Sequence, residues 1–256
     1  MKPRRSVLLG LSLFCFSFIS PAQTPPASPP LRIFASNGIK AVVEDLKRPV
    51  EKSTGRPLAL IFDSTAALRK RIAEGEGFDL AILTTDATAE LVKDGTLSAA
   101  TSADLARAGV GVGYRTGTPK PDTHTAESMK KALLAAKSIT YAADGASRAF
   151  VDKMIDKLGL TATLKPRTVF AQGSGPATAA VAAGQSDLVL TLTSEILPVQ
   201  GISLAGGLPD EFQSYITFTA AVSSKSPNMA AAKSMIASMK APSVAMIYKA
   251  RGMEPR

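Results

Sequence analysis

Tryptophan is absent from this 256-residue chain, and cysteine and histidine each occur once. Zinc fingers, iron–sulfur clusters and disulfide scaffolds all need more Cys or His than that, so they are excluded. A nucleophile–histidine enzyme would have to work through His124, which lies in the polar loop Pro119–Thr125 and reads as surface. Aromatic residues make up only 5%, and basic residues are scattered singly among acids, with Arg69-Lys70-Arg71 the longest run. Stacking platforms interleaved with Lys or Arg are therefore missing, and no nucleic-acid partner is expected. No segment approaches the ~18 unbroken apolar residues of a membrane span, so no stable membrane insertion is expected.

What is present begins with a leader. Lys2, Arg4 and Arg5 precede an apolar run from Val7 to Ile19, and Ser20-Pro21-Ala22 ends on a small residue. Basic flank, short apolar stretch and small-residue site describe an export signal over residues 1–22, cleaved after Ala22, and so a periplasmic protein. Cys15 follows Phe14, not the small residue a lipid-anchor site wants, and Arg4-Arg5 hints only weakly at twin-arginine export. Loss of the leader removes the cysteine and lowers the net charge from +9 to +6. A positive field of that size helps a protein collect small anions. Residues 23–30 form a proline-rich leader without structure of its own.

From Leu31 strands and helices alternate. Strands are expected over 31–35, 58–62, 79–83, 110–114, 138–142, 163–170, 188–192 and 215–222, and helices over 39–52, 66–74, 87–93, 126–136, 148–158, 177–183 and 228–239. Such alternation implies right-handed βαβ units on a mostly parallel sheet, an α/β fold. The Met residues at 229, 235, 239 and 246 read as one buried helical face. Gly111 and Gly113 lack the third glycine and the helix of a dinucleotide site. An internal echo divides the chain. Helix, Gly75 and Asp79-Leu80 lead to a buried strand ending at Thr84; helix, Gly184 and Asp187-Leu188 lead to another ending near Thr191. Two similar lobes are expected, one from 31–113 plus 213–256 and the other from 114–212.

The chemistry sits where strands end. Phe34 is followed by Ser36-Asn37-Gly38, Phe62 by Asp63-Ser64-Thr65, Tyr141 by Asp144 and Ser147-Arg148, and Phe170 by Gly173-Ser174. Ser, Thr, Asp and Asn are ordinary helix caps. In open α/β sheets, however, ligands lie beyond the carboxyl ends of strands, where helix N-termini offer free N–H groups to anions. Ser36, Asn37, Gly38, Ser64, Thr65, Ser147, Arg148 and Ser174 are therefore the candidate ligand-binding residues, with no metal and no cofactor. Arg148 adds a planar fork suited to a carboxylate. Arg115 is a candidate to face the cleft or to pair at a hinge. Tyr215 reads as packing.

Phe34-Ala35-Ser36, Ser64-Thr65, Phe78-Asp79-Leu80 and Ser194-Glu195-Ile196-Leu197-Pro198 give the chain a resemblance to the periplasmic molybdate-binding-protein family, type II solute-binding proteins of ABC transporters. That resemblance implies a monomer of two lobes joined by two crossing strands, closing over an anion for a membrane permease. By position it places the family's site serines at Gly38 and Thr65, its backbone donors at Ser147 and Ser174, and its site tyrosine at Leu192. The loss of hydroxyls at Gly38 and Leu192, with Arg148 nearby, shifts the expected ligand towards an organic di- or tricarboxylate, oxyanions remaining open. The scaffold also resembles that of periplasmic aconitate isomerase. On that alternative Arg148 clamps a carboxylate, and Asp63, Asp144, Ser64 or Thr65 relays a proton in an allylic shift.

Overall fold

The computed structural model describes residues 28–256. The expected export signal lies outside the described residues. In chain order the elements are β1 Leu31–Ser36, α1 Lys40–Thr54, β2 Leu58–Asp63, α2 Thr65–Ala73, β3 Leu80–Thr84, α3 Thr85–Lys93, β4 Ala103–Arg115, α4 Ala126–Ala135, β5 Ile139–Ala142 and α5 Arg148–Lys157. They continue with α6 Thr161–Leu164, β6 Thr168–Ala171, α7 Ser174–Ala182, β7 Leu188–Leu192, α8 Thr193–Ile196, β8 Ile202–Gly207, β9 Tyr215–Val222, α9 Met229–Met239, α10 Ala245–Ala250 and β10 Met253–Pro255.

The strands follow the order β2-β1-β3-β9-β4-β7-β5-β6, with β8 and β10 both pairing with β4. The pairs of β1 with β2 and β3, and of β5 with β6 and β7, are parallel, whereas β4, β8, β9 and β10 pair antiparallel. The order β2-β1-β3 of the first half therefore recurs as β6-β5-β7 in the second. The sequence echo has a structural cause as well. Asp79 accepts the N–H of Arg32 at 2.8 Å, at the start of β1, and Asp187 accepts the N–H of Lys137 at 2.7 Å, just before β5. In both halves one carboxylate pins the entry to the first strand beside the strand it precedes.

The antiparallel strand β4 joins the halves. Its first part pairs with β9 and its last part with β7. Gly111 and Gly113 lie in its last part, where an added Cβ would come within 3.0 Å of Gly206 O and 2.7 Å of Val189 Cγ1 respectively. Close sheet packing, and no nucleotide loop, explains that pair.

Alternating strand residues feed two faces. Leu31, Ile33 and Ala35 join a core with Val42, Val43 and Leu46 of α1, which continues into the second half through Met129, Val151 and Leu190. Phe34 points the other way, to Leu68 and Ile72 of α2 and Leu91 of α3. Strands buried on both faces read as unbroken apolar runs, which is why they were legible. The expected strand 163–170 is shorter than its apolar spacing suggests. Residues 161–167 are helical turns instead, because Pro166 supplies no ladder N–H and Leu164 is buried. Of the four methionines expected on one buried helical face, Met235 and Met239 are core, whereas Met246 is 70% exposed. Among the described residues no helix is long and apolar enough to cross a membrane, and no cluster of three metal-ligating side chains occurs.

Candidate functional site

The carboxyl ends of β1, β2 and β3 face those of β5, β6 and β7, and helices α2, α3, α5, α7 and α8 begin there. Two cavities flank the seam. One, about 530 Å³, is lined from the first half by Thr65, Thr84 and Thr85 and from the second by Asp144, Ala146 and Phe150. The other, about 460 Å³, brings Asn37, Lys40 and Asp63 opposite Gln172, Ser174 and Glu195.

Thr65 is the hub of the first half. Its hydroxyl donates to Ser36 Oγ at 3.2 Å and accepts the N–H of Thr84 at 3.4 Å, drawing together the turns after three adjacent strands. Ser64 is a true cap: its Oγ accepts the N–H of Ala67 at 3.1 Å. The same hydroxyl donates across the seam to Asp144 Oδ2 at 2.5 Å. A second bridge runs from Ser194 Oγ to the carbonyl of Gly38 at 2.7 Å. Gly173 has φ +94°, a conformation that glycine adopts freely, and starts α7 with Ser174 buried beside the cavity. Ser147 is buried at the head of α5, and its carbonyl, not its hydroxyl, takes the first helical N–H groups, from Phe150 and Val151.

Gly38 is sealed. A Cβ there would lie 2.2 Å from Phe218 Cζ and 2.8 Å from Leu192 Cδ1, so the place the resemblance gives to a serine is filled by neighbouring side chains.

The Arg148 guanidinium, expected as a carboxylate clamp, lies against protein groups. Its Nε donates to Asp152 at 2.8 Å, its Nη1 donates to the Ala143 carbonyl at 2.9 Å, and its guanidinium lies 4.2 Å from the centre of the Phe170 ring. Asp152 also accepts the hydroxyl of Tyr141, and burial, followed by that hydrogen bond, pushes the Tyr141 phenol well above its ordinary value. Arg148 lines neither cavity. Arg148→Ala is accordingly expected to lower stability by about 1 kcal/mol, the worth of a half-exposed ion pair and a cation–π contact. Thermal unfolding measures that loss, and anion affinity is expected to stay unchanged.

Arg115 is also elsewhere, at the end of β4 remote from the seam. Tyr215, 45% exposed, lines the first cavity with the guanidinium of Arg107 4.2 Å over its ring. His124 is exposed and bonded to Asp122 in the surface loop.

Two participants escaped the sequence reading. Thr84-Thr85 follows β3 as hydroxyls follow the other strands, a signal that was available. Glu195 had only its place in the Ser194–Pro198 motif. Its carboxylate accepts the Thr191 hydroxyl and the N–H of Leu192 at 3.3 Å, and Ser174 also hydrogen-bonds it. Desolvation by the surrounding protein outweighs these donors and raises its pKa.

The family described as bacterial extracellular solute-binding protein matches residues 31–254. The chain belongs to that family. Among curated proteins, an aconitate isomerase from Pseudomonas is 27% identical over 233 residues, covering 88% of this chain and 87% of the relative. Among solved structures, the periplasmic molybdate-binding protein of Azotobacter vinelandii superposes with a TM-score of 0.75 at 18% identity, over 87% of this chain and 98% of that one. A sulfate-binding protein from Mycobacterium tuberculosis superposes with a TM-score of 0.68 at 16% identity, over 89% and 87%. These structures share the fold, two α/β lobes, with this solute-binding protein. The hydroxyl and helix-start groups assembled here lie on the seam between the two halves.

Proposed function

We propose that this solute-binding protein is exported to the periplasm, where it captures a small anion between its lobes and delivers it to the permease of an ABC transporter. The observation that carries the reading is the Thr65 hub. One hydroxyl gathers the turns after β1, β2 and β3 at the start of α2, opposite the starts of α5 and α7. Free N–H groups and the positive ends of helix dipoles hold anions without metal or cofactor. Lobe one runs over 31–113 and 213–256, lobe two over 114–212, and closure is a hinge motion of a monomer about the connecting strands. Two of the carboxylates at the seam turn lone pairs to protein donors: Asp63 to the N–H of Ser64, Asp144 to its hydroxyl. An organic di- or tricarboxylate or an oxyanion such as molybdate then meets hydroxyls and N–H groups of Ser36, Asn37, Thr65, Ser147 and Ser174.

Titration calorimetry with molybdate, sulfate, citrate and trans-aconitate tests this. One of them is expected to bind saturably, and Thr65→Val to bind it at least about tenfold more weakly, because losing the hub hydroxyl unties the Ser36 and Thr84 turns that present donors to a charged group. Absence of binding by all four, or equal affinity in the variant, overturns the reading.

A second reading, an isomerase of unsaturated tricarboxylates, is favoured by the aconitate isomerase relative and by Asp144, a carboxylate lining a seam cavity and bonded to Ser64. Asp144 would take a proton from the methylene carbon beside the double bond. As the double bond shifts, it would return that proton to the far alkene carbon, so that no net proton is exchanged. Loss of the ultraviolet absorbance of trans-aconitate, abolished in Asp144→Asn, is the expected result. No change at high protein concentration excludes it.

A further inference from the structure

A groove of about 680 Å³ lies on the second lobe, away from the seam. Its floor includes Leu188, the first residue of β7, paired with Tyr114 near the end of β4. The seam lies at the opposite end of β7, about 13 Å away along a five-residue strand. Three features there have no use in the proposed capture of an anion.

The first is charge. Arg115, Lys120 and Lys131 line the groove with Asp122 and Asp187. Asp122 is engaged by His124, Asp187 by the N–H of Lys137, and Lys131 by Glu127 at 2.7 Å. That leaves Arg115 and Lys120 as cations with no carboxylate partner among the described residues. The second is a cradle. Gly184 has φ +72°, and a Cβ on it would lie 3.1 Å from Arg115 Nη1, so the guanidinium rests on bare backbone. The third is Ser186. It lines the groove, is 3% exposed, and its hydroxyl is a buried side-chain group with no hydrogen-bond partner among the described residues. Buried hydroxyls are almost always bonded, so an orphan beside a groove points to a partner that arrives from outside.

We propose that this groove is a second ligand site, for a small organic acid with an apolar body. The carboxylate pairs with Arg115 and Lys120, the apolar body lies against Leu188 and the alanines of α4, and the Ser186 hydroxyl meets a polar atom of the ligand. A fork guanidinium favours a planar carboxylate, and a volume of this size admits a ring. The inference is independent of what the seam binds.

Amide NMR of the protein titrated with benzoate tests it, with inorganic phosphate as the comparison anion. Benzoate is expected to shift the amides of Arg115, Gly184 and Ser186 saturably, and phosphate is not. Arg115→Gln is expected to weaken the benzoate response at least about tenfold, the value of a charge-assisted bond. Ser186→Ala is expected to weaken it less and to raise the melting temperature, since it removes an unsatisfied hydroxyl, and it carries the test should Arg115→Gln fail to fold. Shifts confined to the seam amides of Ser64 and Thr65, shifts matched by phosphate, or a response untouched by both variants overturns the proposal.

Discussion

Gly38→Ala is expected to destabilise the protein by about 2–3 kcal/mol, lowering the melting temperature by about 5–10 °C in a protein of this size. The argument is steric. The new methyl would fall 2.2 Å from Phe218 Cζ and 2.8 Å from Leu192 Cδ1, distances no real carbon pair tolerates. Phe218 is wholly buried on β9 between β3 and β4, so its ring has no open rotamer to take. Gly38 also receives the hydrogen bond of Ser194 from the other lobe, so any shift of its backbone loosens a bridge across the seam. Differential scanning calorimetry of Gly38→Ala, alone and combined with Phe218→Leu, measures the effect. The second change removes the nearest clashing atom, so the two should be strongly non-additive. Simple additivity would show that the crowding at Gly38 is not the cause.

Glu195→Ala is the second large effect, a loss of about 2–3 kcal/mol. It strips the acceptor from the Thr191 hydroxyl and the Leu192 N–H, both deeply buried, and from Ser174. Glu195→Gln keeps an acceptor oxygen and separates geometry from charge. Because burial raises the pKa of Glu195 in the folded state, the native protein holds this proton more tightly than the unfolded chain does. Its contribution is therefore fully present below the ordinary carboxylate range and is lost as pH rises through the raised folded value. Thermal unfolding from acid to mildly alkaline pH should show wild type losing ground to Glu195→Gln as pH rises, with the two converging in acid. A gap independent of pH would mean that Glu195 acts by shape alone.

Much of the fold could be read before any coordinates, because the signals are local. Strands buried on both faces are apolar runs, and helices closed by Gly75, Gly95 and Gly159 carry their own stop residue. The Asp79 and Asp187 turns repeat because each half must pin its first strand. The segments that went unread are those whose character is set by a neighbour. The first part of β4, carrying Asp104 and Arg107, is a strand because β9 and β10 bracket it; β8 and β10 exist only as partners of β4.

The site divides along the same line. Amino-acid order alone determined that hydroxyls and helix starts would follow the strands, since capping chemistry and strand ends are set within a few residues. Only the tertiary structure decided which of those groups meet. Ser64 and Asp144 are 80 positions apart, Gly38 and Ser194 156, and Arg148 meets Asp152, Ala143 and Phe170. A side chain's availability depends on every donor, acceptor and ring within a few ångströms, and that neighbourhood comes into being only when distant segments close on one another.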